Sequence, residues 1–285
     1  MMIKCIATDM DGTLLNSTQD ITEENKAAIL KAQEQGIEVV VATGRSYQEA
    51  TFVLDEAGLK LPIICVNGAE VRSKDGSVIA TNPLSKDQAR RAAEALARTG
   101  NYFEVYTSQG TFTNDPDKAI TIMTDIFASA NPEVPMETLV RGAHERFHKG
   151  LVQVVDDYTP LFNDDEHTIY KLLAFSIDEQ KQEEGKKSLS EIEGLALSSS
   201  GHLNIEITSE KAQKGIALEA FTESKGISLA DTMAIGDNQN DLSMFARVGR
   251  AVAMGNADFE IQMECDVVTS ANDESGVAEA ILEVL

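Results

Sequence analysis

Three short runs near the N-terminus are apolar almost without interruption: IKCIATD (3–9), IEVVVAT (37–43) and PIICVNG (62–68). A strand with one wet face alternates apolar and polar residues, whereas a strand covered on both faces does not, so these runs belong to a sheet buried on both sides. The segments between them read as helices. TEENKAAILKAQEQG (22–36) opens on Thr22, carries acids in its first turn and ends on Gly36; SYQEATFVLDEAG (46–58) opens on Ser46 and stops at Gly58. Strands and helices alternating at this spacing specify parallel strands joined by helical crossovers. The expected fold class is α/β, with a Rossmann-like doubly wound parallel sheet as its core.

The same rhythm returns at the other end of the chain. KGIALEAFTESKG (214–226) is helical, TMAIGD (232–237) is a strand, and NDLSMFARVG, RAVAM, NADFEIQMEC, DVVT and SGVAEAILEVL continue the alternation to residue 285. In between the pattern differs. KDQARRAAEALARTG (86–100) is a helix, YFEVYT (102–107) and GTFTN (110–114) can pair, YKLLAFSID (170–178) is a strand, a Glu/Lys-rich helix follows over 179–191, and GLALSSSGHLNIEIT (194–208) reads as two strands about a turn. Hairpin-like strands beside helices suggest an α+β insert. At 285 residues the chain has room for two domains of about 100–200 residues. The simplest organisation is a discontinuous core, residues 1–82 and 202–285, interrupted by an α+β domain over 83–201.

Composition narrows the function classes. Lys and Arg number 24 against 47 Asp and Glu, a net charge of −23, and basic residues never run beyond a pair. Such a surface repels a phosphate backbone, so nucleic acid is not an expected partner. The three cysteines, Cys5, Cys65 and Cys265, are far apart with no metal-ligand spacing, and two lie in apolar runs where a reduced thiol packs as a small hydrophobe. No segment has the secretory signal pattern or the ~18 apolar residues of a membrane span. The expectation is a cytoplasmic protein without a membrane anchor.

The first strand ends in CIATDMDGTLL. Residues i and i+2 of a strand point the same way, so Asp9 and Asp11 can face one site at the strand's C-terminal end, where open α/β sheets bind ligands. Two carboxylates so close raise each other's pKa unless a cation joins them, and a hard oxygen-seeking ion such as Mg2+ meets that need. GDNQND places Asp237, Asn240 and Asp241 at a second strand-to-helix junction, from which Asp237 can reach the same metal and Asn240 can donate its amide to an oxyanion. Thr43 and Gly44, ending the second strand in VVVATGR, offer a hydroxyl and a backbone N–H near a helix start. Lys214, in KAQKGIALEAF, opens a helix and can supply positive charge. The set fits phosphoryl transfer, in which positioning and charge neutralisation carry most of the catalysis. Asp9 would attack phosphorus to form an aspartyl-phosphate, and Asp11 would protonate the leaving oxygen and then deprotonate the hydrolytic water.

DMDGTLL, VVATGR, KAQKG and GDNQND resemble the four motifs of the haloacid dehalogenase-like (HAD) superfamily, in order and with the spacing of its Cof-type subfamily IIB. VNGA (66–69) and AMGNA (253–257) are also typical of Cof-type members, and the insert resembles their type C2 cap in position and size. The resemblance implies that Asp9 is the nucleophile and a metal ligand, and that Asp11 is the acid/base and lends its backbone carbonyl to Mg2+. It further implies that Thr43, Gly44, Lys214 and Asn240 bind phosphate, with Met10 contributing backbone only. Asp237 is then the carboxylate metal ligand and Asp241 an outer-shell ligand acting through water.

The implied activity is that of a phosphoric monoester hydrolase, a Mg2+-dependent phosphatase of a small phosphorylated metabolite such as a sugar phosphate or a phosphorylated cofactor precursor. A phosphomutase with the same intermediate and a phospho-receiver signalling protein are the alternatives. Specificity is expected in the insert. His202 and Asn204 sit where the chain returns to the core and can touch substrate or serve the turn; the aromatics Tyr102, Phe103, Tyr106 and Phe112 read mostly as core of the insert. Arg45 can approach phosphate or cap the sheet, and Lys211 reads as surface.

Overall fold

The computed structural model describes residues 2–130, 135–199 and 203–285. The chain divides into two compact units, Met1–Asn82 with Lys211–Leu285, and Pro83–Glu210.

In the first unit, β1 (Cys5–Thr8), α1 (Glu23–Glu34), β2 (Glu38–Ala42), α2 (Tyr47–Glu56) and β3 (Ile63–Cys65) alternate as the apolar runs require. Both helices start where their side chains cap them: Thr22 accepts from the Asn25 N–H, and Ser46 with Glu49 forms a reciprocal capping box. Two further strands, β4 (Glu70–Arg72) and β5 (Val78–Thr81), run antiparallel beside β3. The eight-stranded sheet of this unit is therefore parallel across its other six strands, the doubly wound parallel core expected, with an antiparallel pair added at one edge. The antiparallel addition rests on local chemistry: the turn at Ser73–Ser77 closes through Asp75, and Arg72 pairs with the buried Glu70 at 2.7 Å.

The second unit contains α3 (Lys86–Arg98), β6 (Tyr102–Thr107), β7 (Gly110–Thr113), α4 (Pro116–Ala130), α5 (Met136–His148), β8 (Val152–Val154), α6 (Thr159–Asn163), β9 (Ile169–Phe175), α7 (Glu179–Ser190), β10 (Leu195–Ser198) and β11 (Asn204–Ser209). Its six strands order as β10-β11-β9-β6-β7-β8, with α3, α6 and α7 contributing to a core that includes Phe103, Phe112, Tyr158 and Leu172. Tyr102 and Tyr106 belong to a smaller cluster with Ile122 and Phe175, so all four singled-out aromatics are buried within the insert. The return to the first unit falls at residue 211 rather than 202, because β11 is zipped antiparallel to both β9 and β10 and cannot leave the insert's sheet before Ser209. Asn204 opens that strand and its side chain accepts from Ser199 Oγ at 3.0 Å; His202 lies outside the described residues.

The first unit resumes with α8 (Lys214–Ser224), β12 (Thr232–Gly236), α9 (Leu242–Phe245), β13 (Arg250–Ala253), α10 (Phe259–Gln262), β14 (Val267–Val268) and α11 (Gly276–Glu283). The strand order β14-β13-β12-β1-β2-β3-β4-β5 puts β1 between β12 and β2, with all three parallel. From β1 the chain winds one way through β2 and β3; from β12 it winds the other way through β13 and β14. In open α/β sheets the crevice for ligands lies outside the C-terminal strand ends where the winding reverses, which here is beside β1 and β12.

Candidate active site

Register decides which residues meet in that crevice. Thr8 aligns with Ile235 on one side and Val41 on the other, and the Asp9 N–H donates to the Ile235 carbonyl at 2.9 Å. Asp9, Asp237 and Thr43, residues widely separated in sequence, thus leave neighbouring strands at nearly the same level.

Beyond Asp9 the chain makes a wide turn closed by Leu15 N–H donating to the Met10 carbonyl at 2.9 Å. Met10 is buried, and Gly12 takes φ +77°. A Cβ at Gly12 would lie 2.5 Å from Asp237 Oδ2, so only glycine lets the turn approach this carboxylate. Thr13, also buried, donates its hydroxyl to Asp237 Oδ1 at 2.8 Å. The Asp-Gly-Thr sequence therefore shapes the turn and also anchors the downstream aspartate, a role for Thr13 absent from the sequence reading.

Lys214 is the first residue of α8 and is fully buried. Its Nζ donates to Asp9 Oδ1 at 2.6 Å and to Asp241 Oδ1 at 2.7 Å. Burial alone would lower the ammonium pKa, but Asp241 and Asp9 outweigh it and hold the pKa above its ordinary value. The helix can start this deep because Gly215 lies against the Ser243 carbonyl, 1.8 Å from where a Cβ would stand. Asp241 is fully buried and committed at both oxygens: Oδ1 accepts from Lys214, and Oδ2 accepts from the backbone N–H groups of Asp237 and Asn238 at 3.0 and 3.1 Å. It thus fixes both the lysine and the loop carrying Asp237.

Asp9, Asp237 and Asp241 each offer a carboxylate oxygen within 4.8 Å of the others. Burial pushes the Asp9 pKa well above the carboxylate range; the Lys214 ammonium opposes that shift, while Asp241 and Asp237 add to it. Asp237 is pushed up to about 6, chiefly by burial and also by Asp241, against the stabilising bond from Thr13. Three carboxylates facing one ammonium lack positive charge, and oxygen ligands are what Mg2+ takes. The donor set fits such an ion.

Thr43 is buried. Its carbonyl accepts from the Asn67 N–H at 2.9 Å, and its hydroxyl oxygen accepts from the Arg45 N–H at 3.1 Å, which leaves the hydroxyl proton to donate. Gly44 lies between those two residues. Asn240 donates through Nδ2 to Asn67 Oδ1 at 3.2 Å, an interaction not anticipated, and an amide nitrogen keeps a second proton for an oxyanion. Asn67 supports it from a left-handed turn, φ +56°, within VNGA. Arg45 turns to Asp11: Nε donates to Oδ2 at 2.9 Å and Nη2 to Oδ1 at 2.5 Å. Asp11 stays half-exposed, unlike Asp9. Lys211 is exposed.

The fold and this acidic crevice define a hydrolase of the haloacid dehalogenase-like class: the family pattern described as haloacid dehalogenase-like hydrolase matches residues 6–281, and the chain belongs to that family. Within it the chain falls in the Cof-type subfamily IIB. It is 36% identical to the phosphatase YwpJ of Bacillus subtilis over 99% of this chain and 100% of that protein. It is 37% identical to the 5-amino-6-(5-phospho-D-ribitylamino)uracil phosphatase YwtE of the same organism, covering 99% of this chain and 98% of the relative. The solved structure of a haloacid dehalogenase-like hydrolase from B. subtilis superposes with a TM-score of 0.88 at 36% identity, covering 99% of this chain and all of that one.

Proposed function

We propose that this protein is a Mg2+-dependent phosphatase of small phosphorylated metabolites that works through an aspartyl-phosphate on Asp9. The observation that carries the reading is the buried Asp9 carboxylate held by Lys214 beside Asp237, with the half-exposed Asp11 two residues away. Relatives named for phosphorylated ribitylaminouracil and for pyridoxal phosphate support the substrate class.

Asp9, Asp237 and the Asp11 backbone carbonyl would hold the metal. When bound, Mg2+ supplies positive charge to the crowded carboxylates and to the phosphoryl oxygens. An Asp9 oxygen forms the bond to phosphorus as the ester P–O bond breaks, and Asp11 gives its proton to the departing alkoxide, releasing the alcohol. Asp11, now a carboxylate, takes a proton from water as the water oxygen bonds to phosphorus. The P–O bond to Asp9 breaks, giving inorganic phosphate, the Asp9 carboxylate and a protonated Asp11. Lys214, Thr43, Gly44, the Met10 backbone and Asn240 hold the phosphoryl oxygens, and Asp241 keeps Lys214 aimed.

We assign substrate choice to the inserted unit, whose sequence lies outside the four motifs. A reducing cytoplasm suits the free thiols of Cys5, Cys65 and Cys265. No helix of the described residues is long and apolar enough to cross a membrane.

The test is phosphate release from 4-nitrophenyl phosphate with and without Mg2+. Asp9→Asn is expected to lower kcat by at least about 10⁴-fold; turnover at the wild-type rate would refute the mechanism. With a hexose 1-phosphate, inorganic phosphate is the expected product, and an isomerised sugar phosphate would instead mark a mutase.

A further inference from the structure

We propose that Gln19, acting through Arg45, is a positioning residue for the Asp11 carboxylate. The inference rests on the acid/base role given to Asp11 above and adds the side chains that hold it in place.

Gln19 is one of four non-glycine residues at positive φ among the described residues, at +66°. That conformation costs a side-chain-bearing residue about 1 kcal/mol and persists only where the surroundings enforce it. Here they do. Asn16 Oδ1 accepts from the N–H groups of Thr18 and Asp20 at 3.0 and 2.9 Å. The Gln19 N–H donates to the Asn16 carbonyl, the Asn16 N–H to the Asp20 carbonyl, and Leu15 bridges Ile21 across the turn. From outside the turn, Asp273 Oδ1 accepts from the Ser17 N–H at 2.7 Å.

The turn so held delivers the Gln19 side chain to Arg45. Gln19 Oε1 accepts from Arg45 Nη2 at 2.5 Å, the same nitrogen that donates its other proton to Asp11 Oδ1. The Arg45 backbone is fixed as well, its N–H on Thr43 Oγ1 and its carbonyl accepting from the Val66 N–H at 2.9 Å. A two-point fork on Asp11 sets the plane of the carboxylate but leaves the guanidinium and carboxylate free to swing together. The third bond, from Arg45 to an uncharged acceptor on Gln19, stops that swing without competing for the positive charge. Asp11 is half-exposed and has little packing of its own to select a rotamer. The relay supplies what packing does not, and a proton donor must sit within hydrogen-bond reach of the leaving oxygen.

The test separates positioning from folding through the leaving group. An alkyl phosphate needs a proton on its leaving oxygen, whereas 4-nitrophenolate leaves well without one, and kcat/KM reports the step in which that oxygen departs. Gln19→Gly removes the side chain and suits the positive φ, so its Tm should equal or exceed that of the wild type. Its kcat/KM for an alkyl phosphate such as glycerol 3-phosphate should fall about tenfold, and that for 4-nitrophenyl phosphate by no more than about twofold. Gln19→Glu should show the same bias more strongly, because a carboxylate draws Arg45 away from Asp11. Unchanged values for both esters, or equal losses on both, would overturn the relay while leaving the phosphatase reading intact. A wild-type protein that releases no phosphate from either ester would overturn that reading, and this inference with it.

Discussion

Two lysines are buried among the described residues, one in each unit, and their surroundings differ in kind. In the inserted unit, Lys171 on β9 lies 3.4 Å from Glu206 and 4.5 Å above the Tyr106 ring centroid, while nearby Arg146 clasps the buried Glu104 through two bonds. Each cation there is matched with a carboxylate. In the first unit, Lys214 meets a cluster of three carboxylates within 4.8 Å of one another. A buried pair makes burial of both charges tolerable. A buried surplus of carboxylates over cations pushes the Asp9 and Asp237 pKa values up, and perturbed groups of this kind cluster at functional sites.

The largest effect should come from breaking the uneven cluster. Lys214→Met should lower kcat by about 10³-fold, about 4 kcal/mol of barrier, because a preorganised cation is lost from the place where phosphoryl charge gathers. Added Mg2+ should not restore it; a loss under about threefold would make the lysine merely structural. Lys171→Met tests the matched pair. It should cost about 3 kcal/mol in urea unfolding by stranding Glu206, with the Mg2+ dependence of turnover unchanged, and the double variant with Glu206→Leu should recover most of the loss.

A smaller effect isolates the surplus itself. A carboxyl group whose pKa is raised by folding is more protonated in the native than in the unfolded state, so stability falls as pH rises between the two pKa values. For Asp237 the window runs from 3.8 to about 6. In chelator, the stability of Asp237→Asn relative to wild type should therefore rise across that window, by about 3 kcal/mol, and saturating Mg2+ should erase the gain. A pH-independent difference in Tm would show that Asp237 carries no electrostatic strain.

The two units also differ in how much of them could be read from the residues alone. In the first, β-branched runs and capped helices stand out, and β1, α1, β2, α2, α8 and β12 lie where periodicity puts them. The antiparallel β4 lacks an apolar pattern because it is three residues long and bears Glu70 and Arg72, whose ion pair hides that polarity only after folding, while β5, Val78–Thr81, is only four residues and lies at the sheet edge where it stays partly exposed. Helices α9 and α10 shrink to four residues each. In the insert, the stretch holding α4, α5, β8 and α6 had no reading, and the domain boundary moved because β11 finds partners on both sides. The same holds within the crevice. Asp9, Asp11, Asp237 and Lys214 were legible as chemistry, whereas the attachments of Thr13 to Asp237, of Asn240 to Asn67 and of Arg45 to Asp11 and Gln19 were not.

The reason is physical. Hydrophobic period, capping residues and carboxylates at strand ends are local properties, so the sequence by itself determined an α/β core, an inserted second unit and the residue types of an acidic site. Which carboxylate meets the ammonium, which is held by a hydroxyl and which is clasped by a guanidinium depends on parallel register across β12, β1 and β2 and on glycines that permit approach within van der Waals distance. Those contacts join residues up to 224 positions apart, as between Thr13 and Asp237, and only the tertiary structure could decide them.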